Sequence, residues 1–236
     1  MKISVCIATY NGKKYLREQL DSILSQLKDG DEIIISDDSS KDNTLEIIAS
    51  YQDERIKVLP HQKFHSPIFN FENALRYATG DYIFLSDQDD IWLPDKVKQM
   101  KAILETCDLV VSDCKVVDKD LHVMDESFFA ERKSGHGFWK NLYRNSYLGC
   151  CMAFRREVLN YVLPFPRKIA MHDIWIGLSV ELHGNVAFIP EPLMLYRRHG
   201  ENVSYGGGGS QNSLYYQLKY RIQMLCYLLE RKLFSK

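Results

Sequence analysis

The sequence predicts an α/β fold with a mostly parallel sheet and helices on both of its faces. Short β-branched and aromatic runs alternate with stretches of helical periodicity through the first half. Three of the strands end in polar clusters, Thr9-Tyr10-Asn11, Asp37-Asp38-Ser39-Ser40 and Asp87-Gln88-Asp89-Asp90. In open parallel sheets, ligands collect in the crevice outside those carboxyl ends. Any one cluster reads as a turn or a helix cap; three together point to a site.

Ile3 to Ala8 is a buried strand that stops at Thr9-Tyr10-Asn11-Gly12, a turn by composition. Leu16, Leu20, Ile23, Leu24 and Leu27 recur at helical spacing, and Asp29-Gly30 closes that helix. Ile33 to Ile35 is the second strand, and Asp42-Asn43-Thr44 supplies caps for a helix around Leu45 to Tyr51. Ile56 to Leu59 is a third strand, Asn70 to Ala78 a helix stopped by Gly80, and Tyr82 to Ser86 a fourth strand. Pro94 opens a helix through Glu105, since a first helical turn tolerates proline, and Leu109-Val110-Val111 is the fifth strand.

The second half is less regular. Val116 to Val123 reads as a hairpin with Asp118 to Asp120 at its turn, and His136 between two glycines reads as a loop residue. Phe138 to Tyr143 is a short amphipathic stretch, Ser146 to Arg155 a strand and Arg156 to Tyr161 a short helix. Met171-His172-Asp173-Ile174-Trp175 starts a helix, with His172 or Asp173 at its N-cap. Tyr205 to Ser210 is a glycine-rich linker. Beyond it Leu214, Leu218, Ile222, Leu225, Leu229 and Leu233 form an apolar helical stripe, with Lys219, Arg221, Arg231, Lys232 and Lys236 against only Glu230.

Composition narrows the function. The chain is 45% hydrophobic and 26% charged, enough for a sizeable core, and its net charge of −1 gives no reason to expect nucleic acid. Six cysteines without C-x-x-C spacing predict free thiols in a reducing compartment, hence a cytoplasmic protein. A strand begins at once after Met1, and no apolar run approaches membrane-spanning length. The basic helix at 211–236 suits either a peripheral seat on the inner face of the plasma membrane or dimerisation. Neither G-x-G-x-x-G nor a P-loop follows the first strand, so a dinucleotide or P-loop fold is not supported.

The acidic stretch carries the chemistry. Asp87, Asp89 and Asp90 crowd three carboxylates at the rim of an apolar strand, where they repel one another unless a divalent cation intervenes. Carboxylate oxygens suit Mg²⁺ or Mn²⁺, and Asp87 and Asp89 share a face of an extended chain while Gln88 turns away. The competing reading, an acidic turn capping the next helix, is as good for the short D-x-D pattern alone.

Ser4-Val5-Cys6-Ile7-Ala8-Thr9-Tyr10-Asn11, Ile35-Ser36-Asp37-Asp38-Ser39-Ser40-Lys41-Asp42 and Phe84-Leu85-Ser86-Asp87-Gln88-Asp89-Asp90-Ile91-Trp92 together resemble family 2 glycosyltransferases of the GT-A fold. With Tyr196-Arg197-Arg198-His199-Gly200-Glu201-Asn202-Val203-Ser204, the pattern is most similar to bacterial rhamnosyltransferases of surface-polysaccharide assembly. The resemblance covers residues 1–204 and implies a Rossmann-like, three-layer GT-A domain. Residues 1–111 would form its nucleotide-binding half and 112–204 its acceptor and catalytic half, followed by the linker at 205–210 and the helix at 211–236.

It also implies roles. Thr9, Tyr10, Asn11 and Asp38 would hold the nucleoside, Asp38 reading a pyrimidine base, with Asp87 near the ribose. Asp89, preferred over Asp90 on register, and His199 would bind Mn²⁺ or Mg²⁺. Asp173, preferred over His172, would be the base of an inverting transfer from a nucleotide-diphosphate sugar, best read as dTDP-L-rhamnose, to a glycan or lipid-linked acceptor. Gly149, Cys150 and Trp175 would line the donor and acceptor side, and Arg197 or Arg198 would pair with the diphosphate. A UDP-hexose or UDP-N-acetylhexosamine donor and a non-catalytic nucleotide-sugar-binding module are the alternatives.

Overall fold

The computed structural model describes residues 1–200 and 213–234. The first half builds β1 (Ile3–Thr9), α1 (Leu16–Leu24), β2 (Glu32–Asp37), α2 (Thr44–Ala49), β3 (Ile56–Leu59), α3 (Pro67–Tyr77) and β4 (Tyr82–Ser86). A two-residue β5 (Ile91–Trp92), α4 (Lys96–Ile103), β6 (Leu109–Val117) and β7 (Val123–Asp125) follow. The rest is α5 (Phe128–Arg132), α6 (Phe138–Tyr143), β8 (Met152–Arg155), α7 (Leu159–Val162), α8 (His172–His183), β9 (Val186–Arg197) and α9 (Leu214–Phe234). The linker expected at 205–210 lies outside the described residues, as do 201–204 of the His199 motif.

Among the described residues the strands form one sheet in the order β3-β2-β1-β4-β8-β6-β9-β5, with β7 beside β6. The block β3-β2-β1-β4 is parallel, as expected. Beyond it β8 runs antiparallel to both β4 and β6, β9 returns parallel to β6, and β5 and β7 are antiparallel. The 111/112 division between the two expected halves of the one domain falls inside β6. Only Met152–Arg155 of the strand expected from Ser146 pairs; Gly149–Cys151 forms a 3-10 turn instead.

Register places the site. Thr9 pairs with Asp37 and Ile7 with Ser86, so β1, β2 and β4 release their polar clusters at one edge of the sheet. β9, pointing the same way beside β6, brings Arg197 to that edge from the far side. The strands are solid apolar runs because both faces are covered: Val5, Cys6, Ile7, Ile33 to Ile35 and Ile83 to Leu85 are fully buried. Each such large side chain contributes about 1.5–3 kcal/mol against exposure. The six cysteines are free thiols, five of them buried.

The C-terminal helix forms where its periodicity predicts, but docks by another face. Met224 and Leu228 are buried, while Leu218, Ile222, Leu229 and Leu233 of the predicted stripe are exposed. Two arginines fix that choice. Arg221 donates to the carbonyls of Leu142 (3.2 Å) and Tyr143 (2.6 Å), and Arg231 to those of Tyr161, Leu163 and Pro164. These carbonyls end a helix or lie in a loop and lack helical partners, so guanidinium forks satisfy them.

At the edge of the sheet opposite the site, Glu32 is buried and accepts from Lys57 (2.7 Å), Lys2 (3.0 Å), Ser4 (2.6 Å) and both the amide and hydroxyl of Thr79. Burial alone would raise its pKa, but the hydrogen bonds from Lys57, Ser4 and Thr79 outweigh it and hold the carboxyl well below its usual range. A depressed carboxylate stabilises the fold fully above the unfolded pKa, and that contribution fades as pH falls toward the folded one. Glu32→Gln should therefore cost about 2 kcal/mol at pH 7 in urea unfolding. The same variant should also flatten the loss of stability that the native chain shows below about pH 4.5.

Candidate active site

The turn after β1 is tied to both neighbouring strand ends. Asn11 takes φ of +50°, a left-handed conformation that asparagine tolerates better than most residues. Its amide donates to the Ser40 hydroxyl and its side-chain carbonyl accepts the Lys41 amide, both at 2.9 Å. The Tyr10 amide donates to Gln88 Oε1 at 2.9 Å, and Gln88 Nε2 returns a bond to the Tyr10 carbonyl at 3.0 Å. Gly12 permits this pair, since a Cβ there would lie 2.4 Å from Gln88 Oε1. Tyr10 is left 52% exposed at the mouth of the cleft.

Thr9 does not face the cleft. It is fully buried, its hydroxyl donates to Asp37 at 2.9 Å, and its carbonyl accepts Asp38 N and Asn70 Nδ2. Its side chain and carbonyl hold the turn. Asp38, buried, accepts the amides of Phe64 (2.7 Å) and Ser66 (3.2 Å), which ties the segment after β3 to the end of β2. Each of its oxygens keeps a second lone pair for a further donor.

The turn after β4 separates its carboxylates. Asp90 points inward, fully buried, with Oδ1 accepting the Arg197 amide at 2.9 Å and Oδ2 without a partner. Asp89 faces the end of β9, where Oδ2 meets His199 Nε2 at 2.7 Å. Carboxylate oxygens of Asp87 and Asp90 and the Cys150 sulfur lie within 4.8 Å of one another. Burial and the neighbouring Asp89 and Asp173 carboxylates push Asp87 up to about 7. Burial, then Asp89 and Asp87, hold Asp90 well above the carboxylate range. Burial also raises Asp89, opposed by the His199 hydrogen bond. An orphaned carboxylate oxygen, mutually raised carboxyls and a carboxylate–imidazole pair fit a divalent cation of the Mn²⁺ or Mg²⁺ kind.

Asp173 opens α8 beside this cluster. Burial pushes it up to about 6, against hydrogen bonds from the Ile174 amide, the Asn145 side chain and the Gly149 amide. Gly149 is needed here, because a Cβ would come 2.8 Å from His172 Nε2. His172 itself stacks on Phe71 at 4.3 Å, has no hydrogen-bond partner on either ring nitrogen, and is held down at about 4 by burial. Cys150 is a buried thiol raised by burial, by Cys151 and by Asp90, so it stays protonated beside Asp87.

Trp175 and Arg197, two more of the expected site residues, are packed into the protein. Trp175 is fully buried, donates Nε1 to the Val162 carbonyl at 2.9 Å and packs under Arg231; it is core, because its helix turns that face to α7 and α9. Arg197 is 3% exposed and bonded to Glu18, the Asp89 carbonyl and the Lys119 carbonyl. Arg198 is different: its Nε and Nη2 have no hydrogen-bond partner, with Glu131 3.8 Å away.

The family model for glycosyl transferase family 2 matches residues 4–163. The chain belongs to that family. A dTDP-rhamnosyl transferase, RfbG of Shigella flexneri, is 33% identical over 84% of this chain and 75% of its own length. The UDP-Glc:alpha-D-GlcNAc-diphosphoundecaprenol beta-1,3-glucosyltransferase WfgD of Escherichia coli is 26% identical over 79% of this chain and 72% of its length. An uncharacterised glycosyltransferase of Nostoc, 28% identical, is spanned over 66% of its length, so this chain matches about two thirds to three quarters of such relatives.

Solved structures share the GT-A fold. TarS of Staphylococcus aureus with UDP-GlcNAc superposes with a TM-score of 0.71 at 22% identity, over 98% of this chain and 72% of that one. The mannosyltransferase PcManGT of Pyrobaculum calidifontis with GDP-Man and Mn²⁺ gives 0.63 at 20%, over 98% and 64%.

Gln88, Glu18 and Asn145, partners of Tyr10, Arg197 and Asp173, were not singled out by the sequence. Their partners lie far along the chain, as with Gln88 and Tyr10, and no local pattern marks them. Gln88→Ala removes two hydrogen bonds of about 1 kcal/mol each that tie the folded turn, so it should lower the melting temperature by a few degrees and weaken nucleoside diphosphate binding by at most about thirtyfold in calorimetry. An unchanged affinity would mean that the tie does not shape the cleft.

Proposed function

We propose that this chain is a metal-dependent, inverting glycosyltransferase of bacterial polysaccharide assembly. It would move a sugar from a nucleotide-diphosphate donor to a hydroxyl of a glycan or lipid-linked oligosaccharide. The observation that carries this reading is the meeting of the Asp89–His199 pair and Asp173 around Asp87 at one sheet edge. L-rhamnose from dTDP-L-rhamnose is the preferred donor, supported by the 33% identity to a dTDP-rhamnosyl transferase. A UDP-hexose is the second reading, supported by the likeness to a UDP-Glc-dependent enzyme.

In this reading Tyr10 flanks the base and Asp38 accepts from its edge, while Asp87 borders the ribose and Asp89 with His199 holds the cation. Such a cation would supply charge neutralisation for the departing diphosphate. Arg198, with donors unspent, suits the diphosphate oxygens. Asp173 takes the proton as the acceptor oxygen bonds to the anomeric carbon, the bond to the diphosphate breaks and the configuration inverts. His172 is the weaker base, being buried, stacked and held at about 4.

Peripheral contact fits the same reading. Tyr215, Leu218, Ile222 and Leu229 are exposed on α9 with Lys219 among them, and no helix of the described residues is long and apolar enough to cross a membrane. A basic, aromatic amphipathic face suits an anionic bilayer carrying a lipid-linked acceptor. The chain should float with anionic but not neutral vesicles, and Leu218→Glu with Ile222→Glu should abolish it. A concentration-dependent dimer lost in the same variant would assign the face to self-association.

Calorimetry with dTDP- and UDP-sugars, with and without Mn²⁺, tests the donor and metal. Asp89→Ala should abolish metal-dependent donor binding, whereas Asp173→Asn should spare it and lower turnover by about 10²–10⁴. Because Asp173 must be ionised to accept a proton, kcat/KM at saturating Mn²⁺ should fall as pH drops below about 6. Turnover surviving Asp173→Asn, with the acidic limb intact, would remove it as the base.

A further inference from the structure

The first turn of α1 takes no part in the chemistry described so far, yet it reaches the metal pair. Glu18 of that turn bonds Arg197 Nη2. The buried guanidinium lies 4.3 Å from the Tyr15 ring centroid, donates Nε to the Asp89 carbonyl at 2.9 Å and Nη1 to the Lys119 carbonyl at 3.4 Å. The same Tyr15 ring lies 4.9 Å from the His199 ring, whose Nε2 meets Asp89 at 2.7 Å. The Arg197 amide meanwhile holds Asp90 at 2.9 Å. One aromatic ring thus supports both the arginine and the imidazole, and one arginine grips the backbone of the carboxylate that the imidazole faces.

We propose that Glu18, Tyr15 and Arg197 are positioning residues that set Asp89 and His199 for a divalent cation. The proposal rests on the metal-dependent reading above. Arg197 does this through its fork geometry, which pairs a carboxylate and carbonyls at fixed angles that a lysine ammonium cannot reproduce. Outer partners of this kind fix the orientation of metal ligands, and their loss commonly costs about 10–100-fold in metal affinity. Glu18 is half exposed, its side chain 54% accessible, so its charge can be removed without opening the core.

The test titrates Mn²⁺ into the purified chain and reads free Mn²⁺ by electron paramagnetic resonance. Glu18→Gln and Arg197→Lys should weaken Mn²⁺ binding about tenfold. Turnover should recover at saturating Mn²⁺, and nucleoside diphosphate affinity in EDTA should stay at the native value. Tyr15→Phe should keep the affinity, since the Tyr15 hydroxyl has no hydrogen-bond partner, whereas Tyr15→Leu should lose it. Glu18→Gln, with an unchanged melting temperature, keeps the test valid if Arg197→Lys fails to fold. Native Mn²⁺ affinity in a folded Glu18→Gln, with binding abolished in Asp89→Ala and His199→Ala, would overturn the positioning role alone. A native chain that binds no Mn²⁺, or binds it equally well without Asp89 and His199, would overturn the metal reading and this inference with it. Weakened nucleotide binding by Arg197→Lys in EDTA would make Arg197 a diphosphate contact instead.

Discussion

Like-charge repulsion at the end of β4 is the constraint on which the site depends. Asp87 and Asp90 approach within 4.8 Å in a buried setting, and Asp89 stands between them in sequence. Two ionised carboxylates at that separation repel by about 3–4 kcal/mol at an effective dielectric of 20. A single hydrogen bond returns about 1 kcal/mol. The surrounding structure meets the conflict in several ways. The Arg197 amide caps Asp90, the Cys150 thiol lies against Asp87, and His199 faces Asp89. What remains, raised carboxyls and one orphaned oxygen, is the deficit that a divalent cation would fill.

The topology explains why so distant a segment supplies the remedy. β5 leaves the acidic turn antiparallel to β9, with Ile91 opposite Leu195 and Trp92 opposite Met194. That short pairing delivers the end of β9 to the mouth of the turn. Asp173 arrives by a different route. Gly149, in the 3-10 turn before β8, lets its backbone close on the start of α8, so the carboxylate of an N-terminal helical turn faces the same cleft. The first and second halves of the chain are therefore joined by one sheet, with β6 crossing the 111/112 position.

Much of this was legible in the sequence because it is local. Ile3 to Thr9, Ile33 to Asp37 and Tyr82 to Ser86 are apolar runs that end in polar residues, and parallel alignment alone puts those ends together. Asp173 and His199 needed the family resemblance, since an N-cap aspartate and a histidine in a basic turn have ordinary structural uses. The contacts of Gln88 and Arg197 were not legible. Gln88 ties to Tyr10, 78 residues earlier, and that bond exists only in the folded register. Arg197 and Arg198 are neighbours with the same side chain, and burial against Glu18 and Tyr15 alone decides which one is spent. On α9 the stripe of leucines was read correctly as apolar, yet two arginines choose the docked face.

In the proposed reading Asp89, from the turn after β4, and His199, from the end of β9, hold one divalent cation. Electron–nuclear double resonance on the Mn²⁺-loaded chain, labelled with ¹⁵N only in histidine, tests it most directly. Hyperfine coupling to an imidazole nitrogen, lost in His199→Ala, is the expected result. A bound Mn²⁺ with no histidine coupling, or with coupling that survives His199→Ala, would contradict it.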